Sequence, residues 1–177
     1  RVIDGDTIRV RHLPNYGQGW FRTSAPPTPL PQRGIASVTL SIRIYGVDCP
    51  ETSKGKNRPG MSFGDEATAL TSELVHHQVG KLTLLRRDQY QRAVAVVETV
   101  PTGLFAGAPK DVSLELAKAG LAELYTGGGA EYHGRRSDLE RAIRRAQQDN
   151  RGIWSLGKQR QSAAEFKRQH KQPTGAK

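Results

Sequence analysis

With a single cysteine, Cys49, in 177 residues, the chain has no intramolecular disulfide. No second cysteine or histidine stands at ligand spacing from Cys49, so no zinc site is expected. Long apolar runs are missing too: the longest are strand-sized, such as residues 93–97, so no transmembrane helix is expected. No signal-peptide pattern is read in these residues, and the chain opens at Arg1 inside a strand-and-turn pattern. That start leads one to expect a preceding strand, with room upstream for a targeting peptide or membrane anchor. Gly127, Gly128 and Gly129 are followed by no Gly-Lys-Ser/Thr, which removes a Walker-type phosphate loop and leaves a flexible turn. Acidic residues are scarce beside basic ones, 17 Asp and Glu against 27 Lys and Arg, giving a formal charge of +10. Such an excess attracts a polyanion with a steep salt dependence, as nucleic-acid-binding proteins do. The length supports one compact domain with extensions rather than two full cores.

What is present concentrates around residues 43–52. Val38, Leu40, Ile42 and Ile44 alternate with Thr39, Ser41, Arg43 and Tyr45, the period of two expected of a strand with one buried face. On that pattern Arg43 points away from the apolar side. Gly46 and Cys49-Pro50 end the strand, leaving Asp48 and Glu51 in a turn whose backbone carbonyls are also free for a hard cation. A strand-held guanidinium beside two carboxylates suits metal-assisted phosphate chemistry, although three such residues alone also describe an ordinary surface ion pair. The first residues add two more carboxylates. Val2 to Val10 reads as strand, Asp-Gly turn and strand, with Asp4 and Asp6 at the turn, where Asp6 is placed to complete a site with Asp48.

The other elements follow in order. Residues 12–36 form an irregular insertion holding five of the ten prolines, with Tyr16, Trp20, Phe21, Arg22 and Arg33 as candidates to line a nucleic-acid groove. A Gly-, Lys- and Pro-rich loop covers 53–62. Helices are expected at 64–78, with Ala67, Leu70 and Leu74 on one face, at 112–119, and at 135–150, where Leu139, Ala142, Ile143 and Ala146 form the apolar stripe. His76 and His77 read as cations at the end of the first helix. Strands are expected at 81–87 and 92–98, joined by a turn that delivers Arg92, and at 121–125. Trp154 is expected to fold back into the core. Residues 156–177 form a polar, basic tail, read as disordered or as a docking helix.

Five segments in this order resemble staphylococcal nuclease (thermonuclease) domains: R-V-I-D-G-D-T at the start, R-I-Y-G-V-D-C-P-E-T from Arg43, R-R-D-Q-Y-Q-R from Arg86, L-A-K-A-G-L-A-E-L-Y from Leu116 and R-G-I-W-S from Arg151. They span residues 1–155 and look most similar to the eukaryotic branch that includes fungal membrane-anchored endonucleases. The resemblance implies an α+β fold, a five-stranded OB-type Greek-key β-barrel with three α-helices. It implies calcium held by Asp6, Asp48 and the Cys49 backbone carbonyl, with Asp4 as a supporting carboxylate. Glu51 then matches the base that activates water, Arg43 and Arg92 match the phosphate-gripping arginines, and Tyr90 and Tyr125 fall at nucleotide-contacting positions. The activity implied is hydrolysis of DNA and RNA, single-stranded or unpaired, leaving 3'-phosphate ends.

The chain also departs from the family's pattern. The Lys-Tyr-Gly-Arg stretch becomes Gln89-Tyr90-Gln91-Arg92, and only Tyr125, followed by Thr126 and three glycines, stands where the bacterial enzyme has two tyrosines. Two other readings remain open. One is a noncatalytic nucleic-acid-binding or scaffold domain, the other a subunit of a larger organellar or membrane assembly.

Overall fold

The structure, a computed structural model, describes residues 1–13, 34, 39–53, 55, 59–101 and 107–170. Nearly all of the insertion at 12–36, including every aromatic and arginine singled out there, lies outside the described residues.

Two short strands, β1 (Val2–Asp4) and β2 (Thr7–Val10), form the first hairpin, and β3 (Leu40–Ile44) and β4 (Val47–Asp48) flank the turn at Gly46. Helix α1 (Gly64–Val75) precedes β5 (Gly80–Arg87) and β6 (Ala93–Thr99). Helix α2 (Val112–Lys118), β7 (Glu123–Leu124) and α3 (Arg136–Gln148) complete the nuclease-like span. Beyond it come a 3-10 stretch (Gly152–Gln159) and α4 (Ala163–Gln169). One sheet runs β1-β2-β3-β6-β5, all antiparallel except β3 with β6, and a second pairs β4 with β7. The α+β architecture of OB type is as expected, with two differences: the five-stranded sheet does not close among the described residues, and a fourth α-helix is present.

The alternation in β3 is real, but its second face is not open to water. Ile42 and Ile44 pack into the core with Ile8, Val94, Val96, Leu116 and Leu139, each such side chain contributing about 1.5–3 kcal/mol. Arg43 and Tyr45, expected to face outward, are 8% and 0% exposed, while Leu40, expected inside, is 47% exposed. Polar partners explain the burial. The Tyr45 hydroxyl donates to Asp111 at 2.6 Å, and the Ser113 hydroxyl donates to the Tyr45 carbonyl at 2.8 Å. Asp111 also caps α2 by accepting from the Ser113 and Leu114 amides, and it pairs with Arg135 at 2.6 Å. A period of two separates faces but does not say which of them another layer covers.

The helix stripes are largely as expected. Ala67 and Thr71 of α1 and Leu139, Ile143 and Ala146 of α3 are buried. The α3 arginines at 136, 141, 144 and 145 are exposed and pair with Glu140, Asp138 and Asp149 along their own helix. His76 stands at the C-cap of α1, where desolvation and the neighbouring His77 lower its pKa from the ordinary histidine value. Trp154 is half-buried against the core with the Arg160 guanidinium 4.6 Å over its ring, whereas Ile153 is the buried residue of that segment.

Candidate active site

Sheet register assembles the site. Arg43 on β3 lies opposite Thr7 on β2, the residue after Asp6, and the Ile44 amide donates to the Asp6 carbonyl at 2.8 Å. On the other side of β3, Ala93 pairs with Ile42, so the turn before β6 ends with Arg92 against the same strand. Arg92 Nη1 donates to the Thr7 hydroxyl at 3.2 Å. Three segments far apart in the chain thus meet over one strand end.

At the centre Arg43 spans two carboxylates. Its Nη1 reaches Asp6 Oδ1 and its Nη2 reaches Asp48 Oδ1, both at 2.8 Å, and Nη2 also donates to the Val47 carbonyl at 3.2 Å. Asp6 is 4% exposed and accepts further from the Thr7 hydroxyl and, through Oδ2, from the Cys49 amide at 3.1 Å. Burial alone would raise the Asp6 pKa. Arg43, then Lys167, the Cys49 amide and the Thr7 hydroxyl overcome it and hold the carboxyl at about 2, so Asp6 is an anion at neutral pH. The same carboxylates raise the Arg43 pKa against the opposing effect of burial. Cys49 is buried, and burial followed by the charges of Asp6, Asp48 and Asp4 pushes its thiol well up, leaving it protonated and inert. Asp4 is 8% exposed at the end of β1.

Glu51 is positioned through its backbone. Its carbonyl accepts from the Met61 amide at 2.8 Å, and the following Thr52 hydroxyl donates to Asp65 in the first turn of α1. Gly64 permits this contact: a Cβ there would lie 2.3 Å from the Glu51 carbonyl oxygen.

Arg92 is organised by Asp88, which accepts from the Tyr90 and Arg92 amides and from Arg92 Nε, at 2.8, 2.9 and 2.8 Å. Despite partial burial, those bonds lower the Asp88 pKa. Tyr90 is 69% exposed with its ring 5.4 Å from the Arg92 guanidinium, while Tyr125 places its ring 5.0 Å from that of Arg43. Gln91 adopts φ 63, the left-handed conformation that suits the glycine of the family pattern. Gln91→Gly is therefore expected to raise stability by up to about 1 kcal/mol in chemical denaturation, less the small share of the exposed Arg87–Gln91 hydrogen bond.

All the residues singled out by sequence for catalysis and metal binding gather here, and the structure adds one that was placed only in a basic tail. Lys167 of α4 sets its ammonium 2.8 Å from Asp48 Oδ1 and 3.1 Å from Glu51 Oε1. The one local signal was Ser162-x-x-Glu165, a capping box that starts α4 and is formed in full.

The Asp6 and Asp48 carboxylates both face the Arg43 guanidinium and are of the oxygen type that can hold a hard divalent cation, while the Lys167 ammonium already stands at Asp48 and Glu51. Among the described residues no group of three or more His, Cys, Asp or Glu side chains is arranged to hold a metal ion. A bound cation would therefore draw on two carboxylates, a backbone carbonyl and water. Among the same residues no helix is long and apolar enough to cross a membrane.

Comparison with known proteins agrees with this arrangement. Over 168 residues the chain is 41% identical to "Endonuclease Htp3" of Saprolegnia parasitica, covering 94% of this chain and 72% of that protein. It is 35% identical over 175 residues to "Probable endonuclease LCL3" of Scheffersomyces stipitis, and equally so to the protein of that name from Candida dubliniensis; each match covers 96% of this chain and 70% of the relative. The profile of the staphylococcal nuclease homologue family matches residues 41–156, from the start of β3 into the 3-10 stretch. With its paired carboxylates, strand-held arginine and this breadth of similarity, the chain belongs to the staphylococcal nuclease family.

Proposed function

We propose that this protein is a calcium-dependent endonuclease hydrolysing phosphodiester bonds of single-stranded or unpaired DNA and RNA, with 3'-phosphate products. The observation that carries the proposal is the Asp6–Arg43–Asp48 bridge with Glu51 and Arg92 at its margin. The family is generally calcium-dependent, and its named relatives are endonucleases.

Asp6, Asp48 and the Cys49 carbonyl would hold the cation, which when bound supplies Lewis-acid polarisation of a phosphoryl oxygen. The chain's own groups do the rest. Glu51 accepts a proton from the water whose oxygen bonds to phosphorus. As the bond from phosphorus to the 5'-oxygen breaks, the electron pair leaves with that oxygen, which is protonated to a 5'-hydroxyl while phosphate stays on the 3' side. Arg43 and Arg92, planar forks of donors, stabilise the charge that builds on the phosphoryl oxygens. Tyr90 and Tyr125 offer aromatic faces to adjacent bases, each already against one of these arginines. Asp4 supports the acidic cluster, and the chain's +10 charge draws the polyanion in.

The test is cleavage of single-stranded DNA in calcium and in chelator, with the product ends typed by phosphatase-dependent labelling. Cutting that persists in chelator, or 5'-phosphate ends, would overturn this mechanism. One observation favours the noncatalytic alternative: Lys167 already neutralises Asp48 and Glu51. That reading predicts equal single-strand binding with and without calcium and no cleavage in either.

A further inference from the structure

Lys167 comes from a helix that is built into the fold rather than laid loosely upon it. Ser162 and Glu165 close the capping box of α4, Ala163 is 2% exposed, and Arg160 just before the helix pairs with Glu123 and stacks over Trp154. Glu123 is in turn the cross-strand neighbour of Asp48. The ammonium therefore arrives at Asp48 and Glu51 from a supported position, with its side chain 39% exposed.

We infer that Lys167, in addition to Arg43, tunes the divalent-cation affinity of this site, a resident ammonium that shares Asp48 with the metal and must yield or be repelled when the metal loads. The inference rests on the proposed metal role of Asp6 and Asp48. A unit positive charge within hydrogen-bond distance of a ligand oxygen opposes a doubly charged ion directly, and the effect is large because the pocket is only partly screened by solvent. The arrangement makes the C-terminal helix a determinant of the cation concentration at which the enzyme becomes competent.

The experiment is calorimetric titration of the full chain with calcium chloride, comparing the native protein with Lys167→Met, Lys167→Gln and Lys167→Arg. Methionine keeps an apolar stem of similar length while removing the charge. Both neutral variants should bind calcium at least about tenfold more tightly than the native protein, whereas the arginine variant, which retains the charge, should remain within about threefold of it. Neutral variants that bind no more tightly than the native chain overturn the inference and leave the metal reading standing. Absence of calcium binding in the native and neutral proteins alike overturns both. Should Lys167→Met fail to fold, as judged by its thermal transition, the glutamine variant decides.

Discussion

Replacing Glu51 by glutamine will lower the single-strand cleavage rate by about two to four orders of magnitude while leaving the protein folded. Glutamine matches glutamate in size, and the contacts that position residue 51 are made by its backbone: the carbonyl accepts from Met61 and abuts Gly64, neither of which the substitution touches. What is lost includes the proton acceptor and the ion pair with Lys167. That pair involves a partly exposed lysine side chain and is worth no more than about 1 kcal/mol. A melting temperature close to that of the native protein, together with a collapsed rate under saturating calcium, is the expected pair of results. A rate within about threefold of native would remove Glu51 from the mechanism, because a general base contributes at least about a hundredfold.

The largest effect on folding is expected far from the chemistry, at Asp111. This carboxylate accepts from the buried Tyr45 hydroxyl, caps α2 through the Ser113 and Leu114 amides and pairs with Arg135, which also binds Glu98 at 3.0 Å. Asp111→Ala leaves the Tyr45 hydroxyl unpaired in the core, removes the cap and strands one side of Arg135. An orphaned buried hydroxyl costs about 1–3 kcal/mol, a lost cap about 1, and the half-exposed ion pair less. The sum is about 2–5 kcal/mol, a fall in melting temperature of roughly 10 °C for a chain of this size. Asp111→Asn separates the contributions: its one remaining oxygen can keep the α2 cap at the Oδ1 position, while the amide nitrogen at the Oδ2 position can only donate to the Tyr45 oxygen and gives Arg135 no acceptor. It should recover the share of the loss that belongs to the cap, about 1 kcal/mol. If the alanine variant melts within about 2 °C of the native protein, the network is not what holds β3 to α2 and α3.

Both variants test residues whose roles were differently visible in the sequence. Glu51 stood in a turn beside Arg43 and Asp48, residue types that suit phosphate chemistry but by themselves also describe an ordinary surface ion pair. Asp111 carried no such signal beyond its place before a helix. Tyr45, its partner, looked like an outward residue of an alternating strand, and its burial depends on α2 and α3 arriving more than sixty positions later. Gln91 was legible as a departure from a glycine pattern, but its left-handed backbone had to be seen to explain why glycine suits that position.

Local chemistry in the sequence determined the elements, the order of the carboxylates and arginines, and the family, because periodicity, turns and short motifs are written in neighbouring residues. Tertiary structure alone decided three things: that the second face of β3 is covered, that one guanidinium bridges Asp6 and Asp48, and that Lys167 reaches Asp48 across 119 positions of chain. The reason is the same in each case. A residue's type states which partners it can satisfy, but strand register and helix docking determine which partner stands within hydrogen-bond reach.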